Sequence, residues 1–401
     1  MRWDHLRLDG LAENGPQEGG AAAGSAAEGD TAGGSTGGGS TSGGRPAPGC
    51  GPPGGALFER GAVTRTFDTP GFRGMTFYEI QAKSIVNRVP ATSRMAFSWT
   101  INPYRGCQHA CGYCFARNSH TYLDLDAGQD FNSKVVVKVN APELLRKTLT
   151  SSRWAGEHIA MGTNVDCYQR AEGRYQLMRG IITALRDHAN PFSILTKGTL
   201  ILRDLDLLTQ AAEVTDVGLN VSVGFVDKAL WRSLEPGTPS PERRLDVCAA
   251  LTGAGLRCGV LMGPVVPFLS DSPAQLEAAV RRIAEAGAGH VTPIVLHLRP
   301  GTRDWYLRWL SENHPGLLPR YRAMYRRGAY APKDYQAEIT GRVRELARRY
   351  GVGATTPAAA RSAGAPAGPG PGRGTGPIRP QTRSGQALAT VREEPMQLSL
   401  L

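Results

Sequence analysis

Residues 102–118 read NPYRGCQHACGYCFARN, and the reading of the whole chain turns on this stretch. Three of the chain's seven cysteines, Cys107, Cys111 and Cys114, stand here in a C-x3-C-x2-C spacing. Thiolates bind soft metals, and three of them on one loop can wrap a compact cluster. Three ligands leave two chemistries open. A tetrahedral structural zinc needs a fourth donor, for which His109 and His120 are close in sequence. An iron–sulfur cubane held by three cysteines leaves its fourth iron free for a substrate or cofactor. Disulfides are the weaker reading for clustered cysteines in a large protein with no secretory signal. Cys50, Cys248 and Cys258 show no pattern and read as linker or core thiols.

On either side of this loop, short apolar runs alternate with longer amphipathic segments, the signature of strand–helix–strand units and a largely parallel sheet. Strands are expected at 96–101, 157–162, 192–196, 217–223, 258–263 and 290–296, with helices at 141–149, 175–188, 202–213, 241–254 and 272–286. Ser272 before Pro273 reads as a helix cap followed by proline in the first turn, and Gly253, Gly255 and Gly287 stand where helices should stop. Six such strands either lie open as a doubly wound sheet or curl into a partial barrel. In both, ligands collect at the carboxyl ends of the strands. Those ends are polar throughout: Asn102, Thr163-Asn164 with Asp166, Lys197, Ser222, Pro264, and His297 with Arg299.

The expected folded unit, residues 60–350, is flanked by two stretches of another kind. Residues 1–59 are mostly Gly, Ala, Ser and Pro, and residues 351–401 begin with a Pro- and Gly-rich run. Both are too poor in apolar side chains to offset the entropy of ordering a backbone, so both are expected to be disordered. Net charge is +11, and residues 299–350 carry twelve Lys or Arg against five Asp or Glu, a balance that suits a polyanion such as nucleic acid. No apolar run reaches the roughly 18 residues of a membrane span, and MRWDHLRLDG lacks the apolar core of a signal peptide, so a cytoplasmic protein without a membrane partner is expected.

The cysteine spacing, placed after a strand and carrying Tyr113 directly before the third cysteine, resembles the radical S-adenosylmethionine (SAM) superfamily. The likeness continues through GTNVDCYQRAEGRY (162–175), ILTKGTLILRDLDLL (194–208) and SLEPGTPSPERRL (233–245), which are similar to the family related to spore photoproduct lyase, and to its actinobacterial members of unassigned substrate. The resemblance implies a partial parallel (β/α)6 barrel, a [4Fe-4S] cluster on Cys107, Cys111 and Cys114, and SAM on the fourth iron. It also implies an external electron donor and reductive cleavage of SAM to a 5′-deoxyadenosyl radical. Lys197 and Ser222 match places that contact the cofactor in the related lyase, and Tyr113, Gly162 and Asn164 join them as expected cofactor contacts. Where many relatives place a carboxylate for the SAM amino group, after the second strand, this chain has Gly162-Thr163-Asn164. The lyase's hydrogen-returning cysteine falls near Thr163 here. Cys167 and Tyr168, a few residues on, are therefore the candidates for a radical relay, with a buried structural thiol as the plainer role of Cys167.

From His297 to Tyr335, arginines interleave with Trp and Tyr, as in surfaces that stack on unpaired bases. Trp305, Trp309 and Leu310 also have helical spacing and are expected to pack inward, leaving Arg322, Arg326 and Arg327 as the nucleic-acid candidates. The last residues restore apolar side chains after the tail. Gln397, Leu398, Leu400 and Leu401 in QLSLL resemble the docking motif for the bacterial sliding clamp. The sequence thus points to a radical enzyme acting on nucleic acid, in the manner of DNA lesion repair. Two alternatives are the same chemistry on RNA, peptide or a small molecule, and a metal-braced nucleic-acid-binding module without catalysis.

Overall fold

In the computed structural model, which describes residues 61–90, 93 and 95–354, the chain forms two sheets. The strands are β1 (Val63–Arg65), β2 (Thr76–Ile80), β3 (Val86–Arg88), β4 (Trp99–Ile101), β5 (Tyr104–Arg105), β6 (Lys134–Lys138), β7 (Ile159–Met161), β8 (Phe192–Thr196), β9 (Val217–Ser222), β10 (Cys258–Val265), β11 (His290–Val295) and β12 (Gly353–Ala354). The larger sheet has the order β12-β11-β10-β9-β8-β7-β4-β3. All its pairs are parallel except β3 with β4.

From β4 to β12 this order follows the chain without reversing. A doubly wound sheet needs a switch point where the winding turns back. One-way winding instead curls the sheet toward a barrel, and among the described residues the ladder ends at β3 and β12 without closing. The fold is the α/β half-barrel expected. One face of the sheet is apolar and buried: Ile101, Ile159, Met161, Phe192, Ile194, Val260, Met262 and Val291 have no exposed surface, while alternate positions such as Ser193 and Asn220 are polar and only partly buried.

The smaller sheet, β1-β2-β6-β5, was not anticipated. It positions the site, because β5 starts three residues after β4 ends and pairs Tyr104 and Arg105 with Val137 and Val136 of β6. The chain therefore leaves the half-barrel, is clamped by β6, and enters the cysteine loop with Cys107 N donating to Phe131 O at 2.9 Å.

Helix boundaries follow their caps. Helix Pro273–Glu285 starts on a capping box formed by Ser272 and Gln275, and Pro241–Gly253 starts on Ser240. Gly255 and Gly287, with φ of +81° and +70°, adopt the left-handed conformation expected of helix stops. The helix expected at 175–188 is instead broken at Gln176, where φ is +51°. The buried Glu172 carboxylate explains the break: it accepts from Leu177 N and Met178 N at 3.1 and 3.0 Å and so caps a fresh start, Leu177–Asp187. The helix expected at 202–213 opens as a 3-10 segment, Thr199–Asp204, before turning α-helical at Leu205. No helix among the described residues is long and apolar enough to cross a membrane. Residues 1–60 and 355–401, and with them QLSLL, lie outside the described residues, whereas Gly353–Ala354, expected within the disordered tail, instead pair with β11 as β12.

Candidate active site

One cavity opens at the carboxyl ends of the parallel strands, where the winding places it. The cysteine loop forms one wall with Cys107, Cys111, Tyr113 and Phe115. Residues 162–166 after β7, Lys197 after β8, Ser222 of β9, Pro264 of β10 and His297 after β11 form the rest. Each of the five expected cofactor contacts, Tyr113, Gly162, Asn164, Lys197 and Ser222, thus lines the same space. Gly162 is required there: its φ is +75°, and a Cβ would lie 1.8 Å from Leu195 O.

Lys197 does not reach out to solvent. Its Nζ donates to Ser222 Oγ at 2.6 Å and lies 5.8 Å from the Tyr113 ring centre. Ser222 Oγ in turn donates to Gly263 O at 3.1 Å. A fixed cation beside a hydroxyl suits a carboxylate and ribose hydroxyls on a ligand. Asp166 is the carboxylate of the β7 loop. It accepts from Lys197 N (2.6 Å), Thr196 Oγ1 (2.7 Å), Tyr168 N (2.9 Å) and His109 Nδ1 (3.3 Å). Burial pushes its carboxyl up, but His109 and these donors outweigh burial and hold it down at about 2. Asp166 ties three loops together.

A second network lies behind the cysteine loop. Glu235, with no exposed surface, accepts from Arg244 Nη2 at 2.5 Å and from the Tyr113 hydroxyl. Burial raises this carboxyl, but the Arg244 guanidinium, Lys197 and Tyr113 prevail and the net shift is downward. Arg244 Nη1 also donates to Ser222 O at 2.8 Å, so the pair spans from the cysteine loop to the serine at the cavity wall. Around it, Gly112 N donates to Leu234 O and Gly237 N to His109 O. A Cβ on Gly237 would stand 2.1 Å from Gln108 O, so only glycine lets the two loops approach this closely.

The donor set fits a cluster better than a single ion. Among the described residues no three His, Cys, Asp or Glu side chains converge on one metal position. A cubane does not ask for that, since each thiolate holds its own iron. The histidines that zinc would recruit are engaged, His109 with Asp166 and His120 Nε2 with Lys134 O at 2.9 Å. Burial pushes all three thiols up, Cys111 to about 12, so iron must displace protons to bind.

Arg117 supplies a second indication of fit. It is wholly buried, with its guanidinium 4.5 Å from the Trp305 ring centre and 5.2 Å from that of Phe131. It donates to Cys111 O, Ala127 O, Gly128 O and Asn132 Oδ1, at 2.9 to 3.1 Å, and to no carboxylate in that set. Burial lowers its pKa, and the opposing pull of the three cysteines exceeds that of Asp126. A buried cation without a paired carboxylate among the described residues calls for an anion, which a thiolate-ligated cluster is.

The remaining candidates are dispersed. Cys167 and Tyr168 are buried at 0% and 1% exposure behind the cavity wall, and Tyr168 Oη donates to Asp204 Oδ2 at 3.0 Å. Among the described residues, Cys107 and Cys111 are the only thiols lining the cavity. Trp309 packs inward as expected, with Nε1 donating to Ser233 O at 3.1 Å. Arg322, Arg326 and Arg327 are exposed. Arg117, Asp166, Glu235 and Arg244 complete the site. Asp166 was legible only as one more strand-end polar group. Glu235 and Arg244 stand in a motif whose charges have no local partner in sequence.

A one-way parallel half-barrel with three cysteines and an anion-ready lysine at its carboxyl mouth defines an iron–sulfur enzyme of the partial-barrel class. The model of the Radical SAM superfamily matches residues 101–283. An uncharacterised protein of Mycobacterium tuberculosis is 48% identical over 298 residues, 74% of this chain and 88% of that one. An uncharacterised protein of Methanocaldococcus jannaschii is 32% identical over 195 residues, 48% of this chain and 69% of that one. Spore photoproduct lyase complexed with dinucleoside spore photoproduct has a similar fold, with a TM-score of 0.51 and 16% identity over 69% of this chain and 80% of that one. A double mutant of the lyase with bound AdoMet and the same dinucleoside gives a TM-score of 0.52 at 15% identity, over 69% of this chain and 79% of that one. The chain belongs to the radical SAM superfamily, whose enzymes use a [4Fe-4S] cluster and SAM. Cys107, Cys111 and Cys114 are the residues that would hold the cluster.

Proposed function

We propose that this enzyme acts on nucleic acid, on a damaged base in the manner of a photoproduct lyase, in the cytoplasm. When bound, the cluster and SAM supply a 5′-deoxyadenosyl radical for hydrogen abstraction. The chain's own residues do the rest. Lys197 and Ser222 orient the methionyl and ribose ends of the cofactor, Asn164 stands where its amino group is expected, and the Glu235–Arg244 pair keeps Tyr113 and the cysteine loop in register with them.

The observation that carries the nucleic-acid reading is the placement of charge. The segment after β11, with twelve basic against five acidic residues between 299 and 350, follows His297 at the cavity wall and carries Arg299, Arg322, Arg326 and Arg327 exposed. The fold shared with a lyase bound to a dinucleoside supports the same substrate class. Identity of reaction is not part of the proposal. Thr163 stands near the lyase's cysteine position, its Oγ1 3.0 Å from Thr100 Oγ1, and Cys167 is buried, so the lyase's own cysteine route for returning hydrogen is not part of the reading.

The test is substrate-dependent cleavage. UV-irradiated DNA should raise 5′-deoxyadenosine formation above that with undamaged DNA, with loss of the lesion in step. Equal yields with both would remove the DNA-lesion reading while leaving the radical chemistry standing.

A further inference from the structure

The cavity's rim carries a group of side chains that the cofactor contacts do not use. Phe115 and His297 both line the cavity, their ring centres 5.7 Å apart. On its outer side His297 meets Tyr330 at 5.6 Å between ring centres. The Arg299 guanidinium lies 5.2 Å from the Phe115 ring centre, and its Nη2 donates to Tyr330 Oη at 3.4 Å. Three rings and a cation, drawn from three separate segments, therefore run as one surface from the cavity wall to solvent. Ile294, also lining the cavity, is 40% exposed.

Tyr330 differs from the other tyrosines of its segment. Tyr306, Tyr321 and Tyr325 are 0–1% exposed and spend their hydroxyls on one another or on backbone carbonyls. Tyr330 is 55% exposed, yet it is held in place by a bridge between its backbone and that of His297 and by Leu298 N donating to Ala329 O at 2.7 Å. An aromatic ring that is fixed but uncovered is preorganised for a partner. His297 Nδ1 is buried and has no hydrogen-bond partner among the described residues. Burial and the neighbouring Arg299 hold its imidazole below the usual range, which keeps it neutral. The surface thus offers flat aromatic faces and one cation.

We propose that Phe115, His297, Arg299 and Tyr330 form a stacking lip that receives an unstacked nucleobase at the mouth of the cavity. The proposal rests on the nucleic-acid reading above and adds to it the place and mode of base capture. A nucleotide brings the π-face of its base to the rings and a phosphate to the guanidinium.

The test uses the full chain with its cluster reconstituted anaerobically, and two fluorescein-labelled probes of about ten nucleotides: oligothymidylate, and an abasic strand with the same phosphates. Stacking predicts that the wild type binds the thymidylate about 5- to 100-fold more tightly than the abasic strand. Tyr330→Ala should lose most of this preference and Tyr330→Phe should keep it. The half-exposed position makes truncation harmless to folding, which a melting curve checks. If wild type and Tyr330→Ala bind both probes and show the same preference, the lip is wrong while the nucleic-acid reading survives on phosphate contacts. If the wild type binds neither probe, the nucleic-acid reading fails and the lip falls with it.

Discussion

Replacing Glu235 by glutamine probes how the cysteine loop is held. The Glu235–Arg244 pair is 0% and 1% exposed with a 2.5 Å contact. Glutamine keeps the shape and can still accept from Tyr113, but it leaves the Arg244 guanidinium buried without its counter-charge. Breaking a buried pair this way costs about 3–5 kcal/mol, a large part of the roughly 5–15 kcal/mol that stabilises a typical domain. At about 2 °C per kcal/mol for a chain of this size, the melting temperature should fall by roughly 6–10 °C. The double replacement Glu235→Leu with Arg244→Met removes both charges and should recover most of that loss. It should not recover cofactor affinity, because Arg244 Nη1 also holds Ser222 O, and Ser222 Oγ holds Lys197. Thermal melts of the metal-free chain and SAM titration of the reconstituted enzyme measure the two effects separately. A melting temperature for Glu235→Gln within 2 °C of wild type, or a double variant as unstable as the single one, would refute this account of the pair.

Other perturbations follow from the same contacts. Arg117→Met removes a buried cation beside the cluster ligands and should make the cluster harder to reduce; an interaction of about 1–3 kcal/mol corresponds to a shift of roughly 40–120 mV toward negative potential, read by potentiometric titration. Lys197→Ala loses a charge-assisted contact and should weaken SAM binding by roughly 10- to 100-fold, measured by equilibrium dialysis with unchanged iron content. Lys138, 4% exposed on β6, is held by burial and Arg105 at about 8, below its ordinary value of 10.5. Its burial as a cation therefore destabilises the fold below pH 8, a penalty that fades as pH rises to about 10.5. Lys138→Met should stabilise the chain by about 2–3 kcal/mol at pH 7 and flatten the rise between pH 8 and 10.5, as denaturant titrations at several pH values would show. Deleting Gln397 to Leu401 should leave SAM cleavage intact and abolish capture by immobilised sliding clamp; equal capture of the truncated and full chains would dismiss the docking motif.

Much of the half-barrel was legible because parallel strands announce themselves as short apolar runs. Phe192–Thr196 coincides with its expected limits, and the six expected strands are β4 and β7 to β11. Topology then did the work of assembling the site, since every strand's carboxyl end faces one opening. That is why Lys197 and Ser222, twenty-five residues apart, meet at the cavity wall. Two strands of the small sheet, β1 and β5, have three residues or fewer, too short to show a period, while its five-residue strands β2 and β6 were missed. Glu172 was read as part of a quoted motif, not as the cap that interrupts a helix. Arg117, Glu235 and Arg244 escaped for another reason. A buried charge is recognised by its partner, and Glu235 finds Tyr113 and Arg244 only after the chain has folded. A glutamate in SLEPGTP, where helix and turn signals meet, was the available signal.

The most direct measurement is anaerobic: iron and sulfide content of the reconstituted chain, then 5′-deoxyadenosine after reduction with dithionite in the presence of SAM, with Cys111→Ala in parallel. The structure predicts about four irons per chain and cleavage product for the wild type, and loss of both in the variant. Zinc in place of iron with no cleavage, or a full iron complement in Cys111→Ala, would contradict the assignment of Cys107, Cys111 and Cys114 as cluster ligands.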